Sequence, residues 1–311
     1  MELVLPSRFR ERVDCIVDDQ KKFYRSLEKP LPRAFRINTL KADKKKVVKS
    51  LREYGLKITS VPWDDLAFVV EDGVTVGSTM EHFMGHIYIQ ELVSMLPPLL
   101  LKNEIKKTEN PVILDACAAP GSKTTQISAL MGNSGLLVAN DSSFGRMKIL
   151  KHNIEKLGCS NVVALNRDAR HLKTEFKFDF IFLDAPCSSE GIIRKNPNIM
   201  THWSTNKIKW LSKMQQEMIV NCYDLLKKGG TMIYSTCTYS PEENERVIHN
   251  LLTKRNAKIK TIKIKGLETS PTVKEWNGKK FDRNVKKAVR IWPHHNDTGG
   301  FFMAKIQEGS E

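Results

Sequence analysis

Short apolar segments alternate with helical segments between residues 111 and 240, and this alternation limits the possible folds more than any other feature. The apolar runs occupy 111–116, 135–140, 162–165, 178–183 and 231–234. Helices are predicted at 123–130, 144–157 (stopped by Gly158) and about 206–227 (ended by Gly229-Gly230). Buried strands joined by helical crossovers form parallel sheets with both faces covered. The sequence therefore predicts an α/β fold with a mostly parallel sheet.

The segments on either side of this core show other patterns. Residues 1–84 mix short strand-like pieces with a helix at 47–54, which predicts a small α+β domain before a main domain at 85–311. Residues 87–96 are predicted to form a mostly buried helix, stopped by a pair of prolines. Near the other end, 289–292 and 301–306 are predicted to pair as an antiparallel hairpin at the sheet edge.

The net charge indicates which class of partner the protein binds, and its cysteine usage indicates the cellular compartment. The formal charge of +15 points to a polyanion, with nucleic acid ahead of a membrane surface and a merely soluble basic protein as the alternative. Six cysteines without a C-x-x-C pair disfavour a disulfide scaffold and structural zinc. The longest apolar stretch, 92–101, is about half the ~20 residues that span a bilayer. We expect a cytoplasmic, monomeric protein with no metal and no membrane partner.

The segment Leu114–Thr124 (LDACAAPGSKT) follows a predicted strand and opens a helix, which is where parallel sheets bind ligands. Small residues allow a ligand to approach the backbone, and a helix N-terminus offers unpaired N–H groups. A phosphate-binding P-loop is excluded because the upstream glycine is absent and Ser122 separates Gly121 from Lys123. The three-glycine dinucleotide motif is absent as well.

Acidic residues follow three successive strands of the predicted sheet. Asp115 ends the first, Asp141 closes the second and Asp168 follows the third. A carboxylate in the second position hydrogen-bonds the ribose hydroxyls of an adenosine, and the third is placed to contact the adenine edge. Any one of these acids alone has an equally good explanation as a helix cap or strand end. Together they predict an adenosine ligand without a pyrophosphate, and S-adenosylmethionine fits.

Two cysteines follow two further strands, in the segments DAPCSSEG (Cys187) and STCTYSP (Cys237). If these strands are parallel neighbours, both thiols lie at one sheet edge, facing the cofactor. A helix with Ser240 as N-cap and Glu243 closing a capping box is predicted just beyond Cys237, and its dipole would lower the thiol pKa. Cys222, in a helix among apolar residues, is predicted to be an ordinary buried residue.

A redox pair is one interpretation of the two thiols, and pyrimidine methylation is the other. A thiolate that adds to carbon 6 of cytosine turns carbon 5 into a nucleophile able to take a methyl group. Asp184 is placed to hydrogen-bond the ring nitrogen and stabilise the adduct.

These cysteine segments, with the loop at 117–124 and RINTLK at 36–41, resemble the Nop/Sun family of RNA 5-methylcytosine methyltransferases. The resemblance implies a class I, Rossmann-like methyltransferase fold, with Cys237 as nucleophile, Cys187 assisting product release and Asp184 beside them. DNA cytosine-5 methyltransferases instead use the Pro-Cys thiol as nucleophile, so the residues alone leave that assignment open. The implied S-adenosylmethionine site comprises Cys117, Ala118, Ala119, Pro120, Gly121, Ser122, Lys123, Asp141, Arg146, Asp168 and Asp184. Residues 290–294 and 300–302 match the family's carboxyl-terminal motif.

The same resemblance implies that residues 1–84 bind RNA. Their basic residues are Arg33, Arg36, Lys41, Lys44, Lys45, Lys46 and Lys49, with a solvated charged face as the alternative. A compact chain favours tRNA over rRNA as substrate. A non-catalytic RNA-binding factor, or a methyltransferase for another base or for protein, remains a possible interpretation, but each would leave the paired thiols without a role.

Overall fold

The structure is a computed structural model that describes residues 4–72 and 75–309. Its helices are α1 (Ser7–Asp14), α2 (Gln20–Leu27), α3 (Lys44–Glu53), α4 (Met80–Phe83), α5 (Leu96–Leu99), α6 (Lys102–Lys107), α7 (Ser122–Met131), α8 (Phe144–Leu157), α9 (Thr205–Asp224), α10 (Glu245–Lys254) and α11 (Pro293–Asn296). Its strands are β1 (Arg33–Ile37), β2 (Lys57–Val61), β3 (Asp64–Asp72), β4 (Ile87–Ile89), β5 (Val112–Asp115), β6 (Leu136–Asn140), β7 (Val162–Leu165), β8 (Phe178–Asp184), β9 (Leu226–Thr236), β10 (Ala257–Lys260), β11 (Glu275–Trp276), β12 (Lys279–Lys280), β13 (Val289–Ile291) and β14 (Phe301–Glu308). No helix within these described ranges is long and apolar enough to cross a membrane.

The main sheet has the strand order β10-β14-β9-β8-β5-β6-β7, with β13 paired to β14. Strands β5 to β9 are parallel neighbours, which confirms the predicted α/β fold with a mostly parallel sheet. The chain runs from β5 outward to β7, then returns to the other side of β5 for β8 and β9. Ligands bind open parallel sheets at such a reversal, and the loop after β5 lies there.

Alternating side chains of the central strands fill two core layers. Leu114 and Ile181 point to the face covered by α9 and α10. Their neighbours Ile113 and Phe180 point to the face covered by α6 and α7. Because both faces are buried, the strands read as continuous apolar runs in the sequence, as predicted. Cys222 belongs to the first layer and is fully buried, which confirms its assignment to the core.

A second, antiparallel sheet has the order β2-β3-β1-β4, with α3 packed on it through Val47 and Leu51. The prediction of one helix over residues 87–96 is wrong, because β4 pairs with β1 here and is followed by a turn and the short α5. Ile87 and Ile89 alternate with Tyr88 as a strand requires, and the free edge of β1 supplies the partner that local sequence does not reveal. This sheet therefore includes residues beyond position 84.

Three predicted boundaries after β8 are wrong. Helix α9 ends at Asp224, and Gly229-Gly230 lie inside β9, where the pairing with β8 shifts register as in a bulge. The hairpin of β13 and β14 exists, but β14 is interior to the sheet because β10 forms the edge beside it. Helix α10 begins at Glu245, several residues later than predicted, because Ser240 and Glu243 hydrogen-bond to another loop instead of capping a helix.

Candidate active site

The two cysteines that follow β8 and β9 lie side by side at the carboxyl edge of the sheet. The Sγ atoms of Cys187 and Cys237 are 3.3 Å apart, within hydrogen-bond distance for sulfur. Leu183 pairs with Tyr234 and Asp184 with Ser235, so the two parallel strands end in register and carry both loops to one place. The hydrogen bond to Cys237 and burial hold the pKa of the Cys187 thiol well above its usual range. The Cys187 thiol is therefore protonated at neutral pH.

Glu243 connects the two cysteine loops through hydrogen bonds to Ser188. Its Oε2 accepts hydrogen bonds from the Ser188 amide and from Gln215 Nε2, both at 2.9 Å, and its Oε1 accepts from Ser188 Oγ at 2.5 Å. Ser188 Oγ also lies 2.7 Å from Thr238 Oγ1, in the loop of the second cysteine. Burial first, and then the charge of Glu190, raise the pKa of Glu243 to about 7. Its sequence position suggested a helix cap, whereas its partners lie 55 and 28 residues away.

Glu190 and Arg290 hold the segment just after Cys237 in place through hydrogen bonds. Glu190 accepts hydrogen bonds from Thr238 Oγ1 (2.8 Å), the Tyr239 amide (2.9 Å) and Ser240 Oγ (2.9 Å). Arg290 donates to the Tyr239 carbonyl at 2.8 Å and forms a bidentate, fully buried ion pair with Glu245. The carboxyl-terminal motif singled out in the sequence thus holds the Cys237 loop.

Asp184 and Lys123 form an ion pair next to the thiols. Lys123 Nζ lies 2.6 Å from Asp184 Oδ2, and Ser235 Oγ donates to Asp184 Oδ1 at 2.7 Å. Burial acts to lower the pKa of Lys123, but the charge and hydrogen bond of Asp184, together with the charge of Asp115, outweigh it and the net shift is upward. Because the Asp184 side chain is 31% exposed, the pair borders open space. The structure thus places one residue of the predicted cofactor loop in direct contact with the predicted catalytic acid.

The loop after β5 turns sharply into α7 and carries a buried carboxylate. Gly121 has a φ of +107°, a left-handed conformation that favours glycine. Asp115 Oδ2 accepts a hydrogen bond from Thr124 Oγ1, whereas its buried Oδ1 has no hydrogen-bond partner among the described residues. Burial raises the pKa of Asp115 to about 7. An unpartnered buried carboxylate oxygen at the switch point suits a cationic ligand group, such as the sulfonium or ammonium of S-adenosylmethionine.

Asp141 and Arg146 meet across the same loop. Asp141 accepts hydrogen bonds from the Ala119 amide (3.1 Å) and the Ser143 amide (2.9 Å), and its Oδ2 lies 3.3 Å from Arg146 Nη1. Arg146 also donates to the Ala119 carbonyl. Asp141 is thus held in place at the end of β6, where the sequence predicts a ribose contact.

Asp168 lies after β7, at the same sheet edge, and is held by a neighbour. Arg170 donates to its two oxygens through Nε and Nη2, at 2.6–3.1 Å, and these hydrogen bonds lower the pKa of Asp168. The adenine contact predicted for Asp168 stays a prediction. Burial raises the pKa of Cys117, the first residue of the loop, so its thiol is protonated at neutral pH.

The predicted basic region of the first 84 residues divides into internal and exposed cations. Arg36 is 2% exposed and donates to Gln90, Thr125 and the Ser122 carbonyl, so it ties the small sheet to the cofactor loop and does not face a polyanion. Lys41 donates to two backbone carbonyls. Arg33, Lys45 and Lys46 remain exposed and make no ion pair within the described ranges.

One group of three side chains could offer ligand atoms to a metal ion. Asp18, His294 and His295 place such atoms within 4.8 Å of one another. Both histidine Nε2 atoms lie 2.9 Å from Asp18, and the buried His294 Nδ1 has no partner in the part of the chain that the structure describes. Histidine ligands normally donate this second nitrogen to a neighbouring group, so the arrangement fits an internal hydrogen-bonded link better than a metal centre.

The fold and the loop at the switch point define a class I, S-adenosylmethionine-dependent methyltransferase. A family profile described as 16S rRNA methyltransferase RsmB/F matches residues 102–307. A second profile, for the N-terminal domain of 16S rRNA methyltransferase RsmF, matches residues 5–92. The chain belongs to this RsmB/F (Nop/Sun) family of RNA methyltransferases, which confirms the resemblance seen in the sequence and the predicted cofactor.

Relatives in this family carry names for two kinds of RNA. The chain is 41% identical to a tRNA (cytosine(49)-C(5))-methyltransferase of Pyrococcus abyssi, over 94% of this chain and 93% of that protein. It is 38% identical to ribosomal RNA small subunit methyltransferase F of Psychromonas ingrahamii, over 98% of this chain but 63% of that protein. The chain therefore spans less than two thirds of the latter's length.

Solved structures share the whole fold. A methyltransferase homologue from Pyrococcus horikoshii superposes with a TM-score of 0.86 at 32% identity, covering 98% of this chain and 96% of that one. NSun6 from the same organism, solved with SFG, has a TM-score of 0.84 at 23% identity and covers 98% of this chain and 99% of that one. The small sheet and the main sheet are thus present together in these neighbours.

Proposed function

We propose that this enzyme methylates carbon 5 of a cytosine in tRNA through a covalent adduct with Cys237. The observation that carries the proposal is the 3.3 Å approach of two sulfurs at the carboxyl edge of the sheet, beside the cofactor loop. A methyltransferase for an amine or a hydroxyl needs no thiol, because those substrates are nucleophiles already. Carbon 5 of cytosine is not, and a thiol that adds to carbon 6 makes it one.

The raised pKa of the Cys187 thiol supports Cys237 as the nucleophile. Since the Cys187 pKa is raised by its hydrogen bond to Cys237 and by burial, Cys187 keeps its proton, and the 3.3 Å separation allows it to donate a hydrogen bond to the other sulfur. A donor at this position stabilises a thiolate at Cys237 before attack and again when that sulfur leaves. Cys187 thereby assists product release.

The adduct step needs a proton at the pyrimidine ring. As the Cys237 Sγ–carbon 6 bond forms, electron density moves into the ring, and ring N3 takes up a proton through the Lys123–Asp184 pair. Lys123 carries that proton at neutral pH because Asp184 raises its pKa. After methylation, carbon 5 loses its proton to water and the sulfur–carbon bond breaks, with its electron pair returning to Cys237. Ring N3 then gives its proton back to the Lys123–Asp184 pair.

The residues of the switch-point loop fit the cofactor. Asp115 offers an unpartnered buried oxygen to a cationic group, and Asp141 lies at the end of β6 for the ribose hydroxyls. The segment 117–123, Arg146, Asp168 and Asp184 complete the proposed site. When bound there, S-adenosylmethionine supplies an electrophilic methyl group.

One relative, which matches over most of its own length, supports tRNA as the substrate, although both family profiles carry rRNA names. The relative named for tRNA matches over 93% of its own length, whereas the one named for rRNA matches over 63%. We assign residues 1–84, with β4 completing their sheet, to RNA binding and the remainder of residues 85–311 to catalysis, in a monomer. Because the target base must leave its stack, at a cost of a few kcal/mol, unpaired or weakly paired sites are preferred.

Cysteine substitutions test the covalent step. Cys187→Ala removes the donor that stabilises the departing sulfur; a hydrogen bond to a charged group is worth about 1.5–3 kcal/mol, so release slows by roughly 10–150-fold. A protein–RNA adduct resistant to denaturing electrophoresis should then accumulate. Cys237→Ala should show neither adduct nor 5-methylcytosine in an unmodified tRNA transcript.

Cys15→Ala is the matched control, because this thiol is exposed and its only described partner is the Glu11 carbonyl. It should turn over like the wild type. Full turnover by Cys237→Ser would refute the covalent mechanism. Methylation of a ribosomal RNA fragment in place of tRNA would refute the choice of substrate alone.

A further inference from the structure

A cleft of about 330 Å³ opens between the small sheet and the loop that follows Cys187. Pro32, Val76 and Ile89 supply apolar walls, and Arg33 and Lys195 stand at its rim. Its volume falls within the range of small-ligand sites, which combine mostly apolar walls with a few polar groups. Ile89 is 44% exposed, although it belongs to a strand, because its side chain faces this opening.

One wall of the cleft is connected directly to the catalytic loops. The lining residue Glu91 accepts a hydrogen bond from the Gly299 amide at 3.0 Å. The next amide, Gly300, donates to the Gly191 carbonyl at 2.8 Å, and the Gly191 amide donates to the Cys237 carbonyl at 2.9 Å. One wall of the cleft is therefore linked to the Cys237 loop by a series of hydrogen bonds.

Arg33 and Lys195, at the rim of the cleft, differ from the neighbouring Arg194 in exposure and pairing. Arg194 is buried and donates to three backbone carbonyls and to Asp297, so its charge is used inside the protein. Arg33 and Lys195 are exposed and form no ion pair or side-chain hydrogen bond within residues 4–72 and 75–309. Unpaired exposed cations at the mouth of an apolar slot match a phosphate attached to a base.

We propose that this cleft binds one unpaired nucleotide adjacent to the target cytosine. Its base lies between Pro32 and Ile89, and its phosphates contact Arg33 and Lys195. Extrusion of the target base leaves a neighbour without its stacking partner, and the apolar slot replaces that contact. The proposal rests on the proposed function, because it takes the RNA substrate from it.

Binding of an unmodified tRNA transcript, measured by fluorescence anisotropy, tests the phosphate contacts. Arg33→Ala/Lys195→Ala should weaken binding at least tenfold and reduce the log–log salt slope by about 1.4, at ~0.7 for each phosphate contact. The control, Lys258→Ala/Lys260→Ala, removes the same charge from exposed positions on the far edge strand β10 and should change affinity less than twofold. Equal losses in the two double variants would overturn the phosphate contacts.

A scan with abasic nucleotides tests the base contact. Removal of one base next to the target should weaken wild-type binding about tenfold, at one flanking position only. Ile89→Ala should weaken binding of intact tRNA and add no further loss with that abasic RNA, because both changes remove the same contact. Uniform losses along the RNA, or additive losses with Ile89→Ala at every position, would refute the subsite.

5-Methylcytosine formation in the same samples separates this proposal from the proposed function. A position-specific abasic effect without methylation would leave the subsite intact and refute the activity. Methylation with identical binding of all abasic RNAs would support the proposed activity and refute the subsite.

Discussion

Glu243 is expected to make the stability of the protein depend on pH. Its carboxylate titrates near pH 7 in the folded protein, against 4.5 in the absence of the fold, because burial and the charge of Glu190 disfavour the ionised form. Between these values the folded state binds a proton that the unfolded state does not. The stabilisation is therefore complete below about pH 4.5 and is lost as the pH rises through 7. Between pH 5 and pH 8 the loss amounts to about 2–3 kcal/mol.

Glu243→Gln tests this contribution without removing the hydrogen bonds. The amide oxygen can accept from the Ser188 amide and Gln215, and the amide NH₂ can donate to Ser188 Oγ, since hydroxyls act as donors or acceptors. Urea unfolding should show the variant gaining about 2–3 kcal/mol relative to wild type between pH 5 and pH 8.

Glu155→Gln is the matched control, because Glu155 is exposed on α8 and forms no ion pair within the described residues. It should follow the wild type at both pH values. Glu243→Ala leaves the Ser188 amide and one N–H of Gln215 without an acceptor and should cost about 1–3 kcal/mol for each; the other Gln215 N–H keeps the Pro186 carbonyl. If wild type and Glu243→Gln differ by the same free energy at pH 5 and pH 8, the pKa of Glu243 is not raised and the reasoning fails.

Three further changes probe the rest of the site. In Gly191→Ala the new Cβ would lie 2.1 Å from the Gly300 carbonyl oxygen, so the loop must shift; kcat should fall at least 100-fold, and wild-type rates would contradict the described packing. Arg290→Met leaves the buried Glu245 unpaired and should cost about 3–5 kcal/mol in urea unfolding, whereas a loss below 1 kcal/mol would refute the ion pair's role. With Asp115 ionising near pH 7, calorimetry should show S-adenosylmethionine binding about tenfold tighter at pH 8 than at pH 6, and Asp115→Asn should abolish this dependence; an unchanged profile would exclude Asp115 as the group responsible.

The sequence was sufficient to predict secondary structure where the local hydrophobic pattern agrees with the burial of the folded chain. The central strands β5, β6 and β8 are mostly apolar because both faces of a parallel sheet are covered there. Gly158 ends α8 with a φ of +73° that glycine tolerates. The two cysteine segments lead to one sheet edge because parallel strands end together. Recognition of the family followed from these same segments, whose residues are contiguous.

Tertiary contacts determine the structure of the two segments for which the local sequence pattern gave a wrong prediction. Residues 87–89 form a strand because β1 offers an open edge, and residues 240–244 stay out of α10 because Glu243 and Glu190 accept hydrogen bonds across the two cysteine loops. Buried carboxylates satisfy donors wherever the fold brings them, so their roles are not encoded in neighbouring residues.

The sequence by itself thus determined the parallel core of the sheet, the position of the loop proposed to bind the cofactor, and the pair of thiols at one sheet edge. Only the tertiary structure decided the 3.3 Å sulfur separation, the protonated state of Cys187 and the cleft beside the small sheet. The physical reason is that sheet formation follows from the periodic burial of nearby residues, whereas pKa values and cavities depend on groups that are distant in the chain and adjacent in space.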